Sequence, residues 1–127
     1  MNKSRILVVD DDPNISRLVA TILSQSSQYE VRTENRAYAA LASARDFKPD
    51  LVLLDVDMPG KDGGEVASEI HGDPALAHVP IVFLTSLVSR NEAGNGLSLR
   101  GGMRFLAKPV DPAVLQRSVR SLLAVAA

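Results

Sequence analysis

The sequence predicts an α/β domain built around a parallel β-sheet. Two observations support this fold class. Short segments with strand character alternate along the 127-residue chain with segments whose apolar residues recur at helical spacing. Three of the strand-like segments are apolar at every position, which is typical of strands that are covered on both faces.

Five strands are predicted. The three continuously apolar segments lie at residues 6–9, 51–54 and 81–84, and another strand is predicted at residues 103–107. The remaining segment, residues 29–33, alternates apolar and polar side chains. Alternation favours a strand at the edge of the sheet, with one face less covered than the other.

Helices are predicted between the strands and after the last one. The first has apolar residues at i, i+3, i+4, i+7 and i+8 from Ile15 to Leu23, as in an amphipathic helix. Residues 37–44 repeat this pattern more weakly, and residues 114–123 carry it in the final helix. Asp12-Pro13 and Asp111-Pro112 each indicate an N-cap followed by proline at the first helical position.

The predicted element order is βαβαβαβαβα, which calls for right-handed crossovers and a doubly wound sheet. Five strands with five helices suit the flavodoxin-like strand order 2-1-3-4-5, which places the second strand at an edge. The fourth helix, between Ser89 and Arg100, is the weakest because it contains Gly94-Asn95-Gly96. We therefore expect residues 88–102 to be the most mobile part of the fold.

Composition excludes several classes of protein. The hydrophobic fraction of 46% excludes a disordered chain, and the length fits one domain. The absence of cysteine excludes disulfides, thiolate metal sites and cysteine catalysis. A net charge of −1 gives no general reason to bind nucleic acid. Neither a membrane-spanning segment nor a signal peptide is visible, so a cytoplasmic location is expected.

Polar side chains end four of the five predicted strands. They are Asp10-Asp11-Asp12 after the first strand, Asp55 with Asp57 after the third, Thr85-Ser86 after the fourth and Lys108-Pro109 after the fifth. The ligand site of such a sheet lies beyond the carboxyl ends of the strands. The first and third strands are neighbours in the predicted order, so Asp10, Asp11 and Asp55 should converge.

Three carboxylates so close together repel one another strongly. Raised pKa values would relieve the repulsion, and so would a bound cation. Oxygen ligands suit Mg²⁺, which commonly bridges carboxylates to a phosphate. With Lys108 nearby and an Asp as nucleophile, the group forms a plausible phosphoryl-transfer site. Asp12 is interpreted as the N-cap alone.

At these motifs the chain resembles the receiver domains of two-component response regulators, over essentially its whole length. Residues 6–12 resemble the acidic motif of the first strand, and residues 49–60 resemble the phosphoacceptor segment, followed by Asp62-Gly63. Thr85-Ser86 and Lys108-Pro109 match the motifs of the last two strands. All four motifs occur in order and at the expected strand ends.

The resemblance implies a role for each residue of the site. Asp55 would accept a phosphoryl group from a phosphohistidine. Mg²⁺ would be held by Asp10, Asp11 and Asp55, together with the backbone carbonyl of Asp57. The domain would assist its own phosphorylation and dephosphorylation, and it would not otherwise act as an enzyme.

The remaining implied roles concern the switch. Thr85 would hydrogen-bond one phosphoryl oxygen, and Lys108 would pair with another. The Lys108-Pro109 peptide bond is expected to be cis. Phe105 matches an aromatic switch position, where phosphorylation would draw Thr85 inward and let the ring become buried. Because phenylalanine has no hydroxyl group, this switch must work through packing alone.

The resemblance also implies partners. A histidine kinase or phosphotransfer protein would supply the phosphoryl group, and a protein target would recognise the switched face, with no direct contact to nucleic acid or membrane. The domain would be a monomer or a weak, phosphorylation-dependent dimer. Only four residues follow the final helix pattern, so residues 1–127 are expected to form a single receiver domain with no visible output domain.

Two alternatives stay open at this point. A degenerate receiver would act only as an interaction module, although the full set of site residues argues against that reading. Asp55-Val56-Asp57 also has the Asp-x-Asp pattern of haloacid-dehalogenase-type phosphatases. That motif usually ends the first strand, whereas here it ends the third.

Overall fold

The computed structural model describes residues 3–86, 98–100 and 103–126. Its strands are β1 (Ser4–Val9), β2 (Tyr29–Glu34), β3 (Leu51–Asp55), β4 (Ile81–Thr85), β5 (Ser98–Arg100) and β6 (Met103–Ala107). Its α-helices are α1 (Pro13–Leu23), α2 (Ala40–Phe47), α3 (Gly63–His71) and α4 (Pro112–Ala126), and a 3₁₀ turn at Ala37–Ala39 precedes α2.

The sheet has the predicted topology. Its order is β2-β1-β3-β4-β6-β5. The five strands β2, β1, β3, β4 and β6 are all parallel to one another. β6 is the predicted fifth strand, so these five strands reproduce the order 2-1-3-4-5. Val9 pairs with Leu54 across β1 and β3, which aligns the carboxyl ends of the two strands.

The fourth helix is corrected by the structure. Residues 98–100, which the prediction placed in that helix, form the short strand β5, antiparallel to β6. Arg100 pairs with Met103, and Ser98 pairs with Phe105. The part of the chain that the structure describes holds four α-helices rather than five. The expectation of a mobile segment at residues 88–102 falls largely outside the described residues.

Helices cover both faces of the sheet, and the alternation of side chains along each strand divides the core into two clusters. Ile6 and Val8 of β1 pack on the face covered by α1 and α4. Leu7 and Val9 point to the opposite face, which α2 and α3 cover. All five residues of β3 and of β4 are buried, as expected for strands covered on both sides.

The predicted helix starts are confirmed. The Asp12 side chain accepts a hydrogen bond from the Asn14 N–H at 2.9 Å, and Asp111 accepts one from Ala113 at the same distance. Each cap satisfies a backbone donor that the first helical turn leaves unpaired. Of the helices within the described ranges, none has the length and apolar character needed to cross a bilayer.

Candidate functional site

Three acidic side chains meet at the carboxyl end of the sheet. Asp10 follows β1 directly, Asp55 is the last residue of β3, and Asp11 lies in the loop before α1. One carboxylate oxygen from each acid lies within 4.8 Å of the oxygens offered by the other two. Asp10 is fully buried and Asp55 is 5% exposed, whereas Asp11 is exposed. The aligned ends of β1 and β3 therefore bring together the three acids singled out in the sequence.

Backbone groups hold the two buried acids. The Asp10 N–H donates to the Glu34 carbonyl at 3.1 Å, which ties the end of β1 to the end of β2. Asp10 Oδ1 accepts a hydrogen bond from the Asp12 N–H at 3.0 Å, and Asp55 Oδ1 accepts one from the Asp57 N–H at 3.3 Å. Each carboxylate is thus oriented by the backbone two residues further along the chain.

Lys108 bridges the two buried carboxylates. Its Nζ lies 3.0 Å from Asp10 Oδ2 and 3.0 Å from Asp55 Oδ1. The Lys108 N–H donates to the Thr85 carbonyl at 2.9 Å, which fixes the residue at the end of β6. The Lys108-Pro109 peptide bond is cis, as the family resemblance predicted.

The electrostatics of the site follow from burial and from these contacts. Burial raises the pKa of Asp55 to about 6; the lysine hydrogen bond opposes that rise, and the neighbouring acids Asp10 and Asp11 add to it. Burial alone would lower the pKa of Lys108. Its hydrogen bond to Asp55 and its charge attraction to both Asp55 and Asp10 outweigh that effect and raise the pKa above its ordinary value.

The donor set fits a hard divalent cation. Asp10 Oδ2 is buried and accepts no hydrogen bond from the described residues. A buried carboxylate oxygen without a hydrogen bond is costly unless another ligand compensates it. The three acids offer oxygen atoms only, and oxygen is the ligand type that Mg²⁺ prefers.

The other predicted residues surround this cluster in different ways. Thr85 is 3% exposed and pairs with Ala107 at the ends of β4 and β6. Phe105 is half-buried and stacks on Phe83, with the ring centroids 5.4 Å apart. The Asp57 side chain is exposed and does not belong to the carboxylate cluster.

Two residues at the site have roles that sequence reasoning did not assign. A Cβ atom on Gly63 would lie 2.6 Å from the Asp55 carbonyl oxygen, so only glycine lets α3 begin this close to the end of β3. Asn35 donates from Nδ2 to the carbonyl of Asp10 at 2.8 Å. Two features of the sequence could have indicated these roles. They are the Asp62-Gly63 pair at the start of a helix and the polar residue Asn35 directly after the second strand.

Comparison with known proteins gives a family match over most of the chain. The family described as the response regulator receiver domain matches residues 6–120. The response regulator PleD of Caulobacter vibrioides is 42% identical over 94% of this chain, which corresponds to 26% of PleD. The DNA-binding response regulator MtrA of Mycolicibacterium smegmatis is 35% identical over 95% of this chain and 51% of MtrA. The chain thus spans between a quarter and about half of these curated relatives.

Solved structures give the same result. The chemotaxis protein CheY4 of Vibrio cholerae superimposes with a TM-score of 0.80 and 28% identity, covering 94% of this chain and 98% of CheY4. The receiver domain of the sensor histidine kinase PA1611 from Pseudomonas aeruginosa superimposes with a TM-score of 0.80 and 29% identity, covering 96% and 98% of the two chains. That structure has a magnesium ion coordinated in its active-site cleft.

Proposed function

The chain belongs to the response regulator receiver family, and we propose that it accepts a phosphoryl group on Asp55 in a Mg²⁺-dependent reaction. Receiver domains are signalling modules of two-component systems, so the phosphorylated form is the signal and not an intermediate of metabolism. The observation that carries the proposal is the convergence of Asp10, Asp11 and Asp55 around Lys108 at the carboxyl end of the sheet.

Asp55 is the nucleophile in this proposal. One carboxylate oxygen forms a bond to phosphorus while the bond between phosphorus and the donor imidazole nitrogen breaks. The imidazole leaves as a neutral ring, because its other nitrogen carries the proton. The Asp57 N–H and the Lys108 ammonium, both on Asp55 Oδ1, hold the carboxylate in one orientation during the attack.

The carboxylates of Asp10, Asp11 and Asp55 would hold Mg²⁺, with the backbone carbonyl of Asp57 as a further ligand. Asp10 Oδ2 supports this assignment, because it is buried and, among the described residues, accepts no hydrogen bond and has only the Lys108 ammonium beside it. When bound, the ion supplies positive charge that offsets the charge on the phosphoryl oxygens. The PA1611 receiver, with magnesium in its cleft, provides the parallel.

Lys108 and Thr85 would bind the phosphoryl oxygens once transfer has occurred. Lys108 already lies 3.0 Å from the acceptor carboxylate, so a small movement places its ammonium against a phosphoryl oxygen. Thr85 ends the neighbouring strand β4, and its hydroxyl would hydrogen-bond a second oxygen. Phe105 would then become more deeply buried and complete a switch in which its stacking partner Phe83 is already in place.

The phosphoryl donor in this proposal is a histidine kinase or a phosphotransfer protein, and the phosphorylated domain then binds a protein target. MtrA is named as a DNA-binding protein, and this chain matches about half of it. With a net charge of −1, residues 1–127 carry no general electrostatic attraction to nucleic acid. We therefore propose that residues 1–127 form one receiver domain that signals through protein contacts, as a monomer or a weak phosphorylation-dependent dimer, and that it acts in the cytoplasm.

Intact-mass analysis after incubation with acetyl phosphate tests the proposal. The wild-type protein should gain one phosphoryl group with Mg²⁺ present and none in EDTA. Asp57→Asn should label like the wild type, and Asp55→Asn should not label although its circular dichroism is unchanged. Full labelling of Asp55→Asn would overturn the assignment, and so would equal labelling of the wild type with and without Mg²⁺.

A further inference from the structure

We propose that Asn35 is a positioning residue that sets the geometry of the loop carrying the metal ligands Asp10 and Asp11. The inference rests on the proposed function, because it concerns the Mg²⁺ site. It stands on a pair of hydrogen bonds that join three separate segments of the chain: the end of β1, the first turn of α1 and the residue that follows β2.

The Asn35 amide makes both bonds from one nitrogen. Nδ2 donates to the Asp10 carbonyl at 2.8 Å and to Ser16 Oγ at 2.8 Å. Ser16 is 2% exposed, and its hydroxyl donates onward to the Pro13 carbonyl at 3.2 Å. A single half-buried side chain therefore ties the start of the acidic loop to the helix that follows it.

The chemistry of the two partners explains why an amide is required. The Asp10 carbonyl can only accept, and the Ser16 hydroxyl has already given its proton to Pro13. Both partners therefore need donors, and the NH₂ group of asparagine has two. An aspartate at position 35 would offer only acceptor oxygens to two partners that are themselves acceptors. An alanine would remove the donor group and leave both partners without it.

The bond to the Asp10 carbonyl has a direct geometric consequence. That carbonyl belongs to the peptide unit joining Asp10 to Asp11, so fixing it fixes the plane of that unit. The Asp10 N–H on the other side is held by the Glu34 carbonyl. With both peptide groups that flank Asp10 held, the direction in which its side chain leaves the backbone is set before any ligand binds. The same bond holds the first peptide group of Asp11, and the Asp12 N–H, bonded to Asp10 Oδ1, holds the second.

Magnesium titrations followed by amide chemical shifts test this role. Asn35→Ala should weaken Mg²⁺ binding about tenfold, the lower end of the loss seen when groups that orient metal ligands are removed. Ser43→Ala is the matched control. It deletes a 2.6 Å hydrogen bond to Glu34 Oε1 at the same strand end but does not touch the acidic loop, so its Mg²⁺ affinity should equal that of the wild type.

A metal-free measurement separates positioning from general loosening. In EDTA, Asn35→Ala should shift the amide resonances of Asp11 and Asp12, whereas Ser43→Ala should leave them in place even if it lowers the melting temperature equally. Ser16→Ala, which keeps the bond to Asp10, should weaken Mg²⁺ binding less than Asn35→Ala. Wild-type affinity in Asn35→Ala, or equal losses in Asn35→Ala and Ser43→Ala, would overturn the inference.

Asp11→Ala distinguishes failure of this inference from failure of the proposed function. If Asp11→Ala binds Mg²⁺ as the wild type does, the metal site itself is misplaced. If Asp11→Ala loses binding while Asn35→Ala keeps it, the metal site stands and only the role of Asn35 is wrong.

Discussion

Lys108 Nζ lies 3.0 Å from Asp10 Oδ2, yet this oxygen accepts no hydrogen bond from any described residue. The contact is therefore an attraction between charges rather than a directed bond. The same ammonium group lies 3.0 Å from Asp55 Oδ1. One lysine thus offsets two buried carboxylates, with the exposed Asp11 beside them. The metal-free site therefore keeps an excess of negative charge.

Asp55→Asn should stabilise the metal-free protein at pH 7. The wild-type carboxylate is ionised at this pH although burial and its acidic neighbours oppose ionisation. Removing the charge should raise the free energy of unfolding by on the order of 2 kcal/mol in EDTA. Urea unfolding measures the change, and the exposed Asp57→Asn serves as the control, with no gain expected.

The same carboxylate predicts a pH dependence of stability. The pKa of Asp55 rises from an ordinary value of 3.8 to about 6 in the folded protein, so the folded state binds more protons than the unfolded state between these values. The contribution of Asp55 to stability is therefore fully present at low pH and is lost as pH rises through about 6. The advantage of Asp55→Asn over wild type should vanish below pH 3.8. An advantage that stays constant across this range would contradict the assignment.

Lys108→Ala should destabilise the metal-free protein and leave Mg²⁺ binding intact or tighter. Removing one partner of a buried ion pair costs about 3 kcal/mol, because the carboxylates keep their charge without compensation. The ammonium also competes with any cation for the same oxygens. Lys61→Ala removes a more exposed salt bridge, to Glu69, and should cost less than about 1 kcal/mol. Loss of Mg²⁺ binding in Lys108→Ala would show that the lysine supports the metal site rather than competing with it.

Gly63→Ala should destabilise the domain by about 1–3 kcal/mol, the usual cost of forcing an extra methyl group into a packed position. The added Cβ would lie 2.6 Å from the Asp55 carbonyl oxygen and 2.9 Å from Val56 Cα, and both of these neighbours are backbone atoms. Gly64→Ala is the matched control, because its Cβ would meet only the Asp62 side chain, at 3.2 Å. Thermal unfolding should separate the two variants; equal melting temperatures would contradict the close approach.

Asp11 and Asp12 are adjacent and both exposed, but they should respond oppositely to substitution. Asp12 caps α1, so Asp12→Ala should lose about 1 kcal/mol of stability. Asp12→Asn keeps a capping side chain and should be as stable as the wild type. Both variants should keep most of their Mg²⁺ affinity. Asp11→Ala should lose Mg²⁺ affinity with little change in stability. Calorimetric Mg²⁺ titration paired with urea unfolding measures both effects, and a larger affinity loss in Asp12→Asn than in Asp11→Ala would reverse the assignment.

The sheet and the acidic cluster were predictable because both depend on simple regularities. Continuous apolar segments mark the buried strands, and parallel strands place the residues that follow them at one edge. Asp10 and Asp55 could therefore be brought together without coordinates. The strand β5 was missed because three residues, Ser98–Arg100, are too short for alternation to be recognised.

The roles of Asn35 and Gly63 could not be predicted for a different reason. Asn35 acts on a carbonyl 25 residues earlier in the chain, and that contact depends on the exact register of β1 and β2. The close approach at Gly63 depends on the exact position of α3 relative to the end of β3, and no sequence pattern within either element determines that position. Contacts with the backbone of a distant segment, such as these two, are not reflected in composition or in the periodicity of apolar residues.

The central position of β3 has a consequence for hydrogen exchange. This strand is paired with β1 on one side and β4 on the other, and every residue in it is buried. Each of its amide protons is shielded by a neighbouring strand and by the helices on the two faces, so exchange requires the sheet to open at its centre. The amides of Leu53 and Leu54 should therefore be among the slowest to exchange in the described part of the chain, and Asp55 is attached to one of its most protected strands.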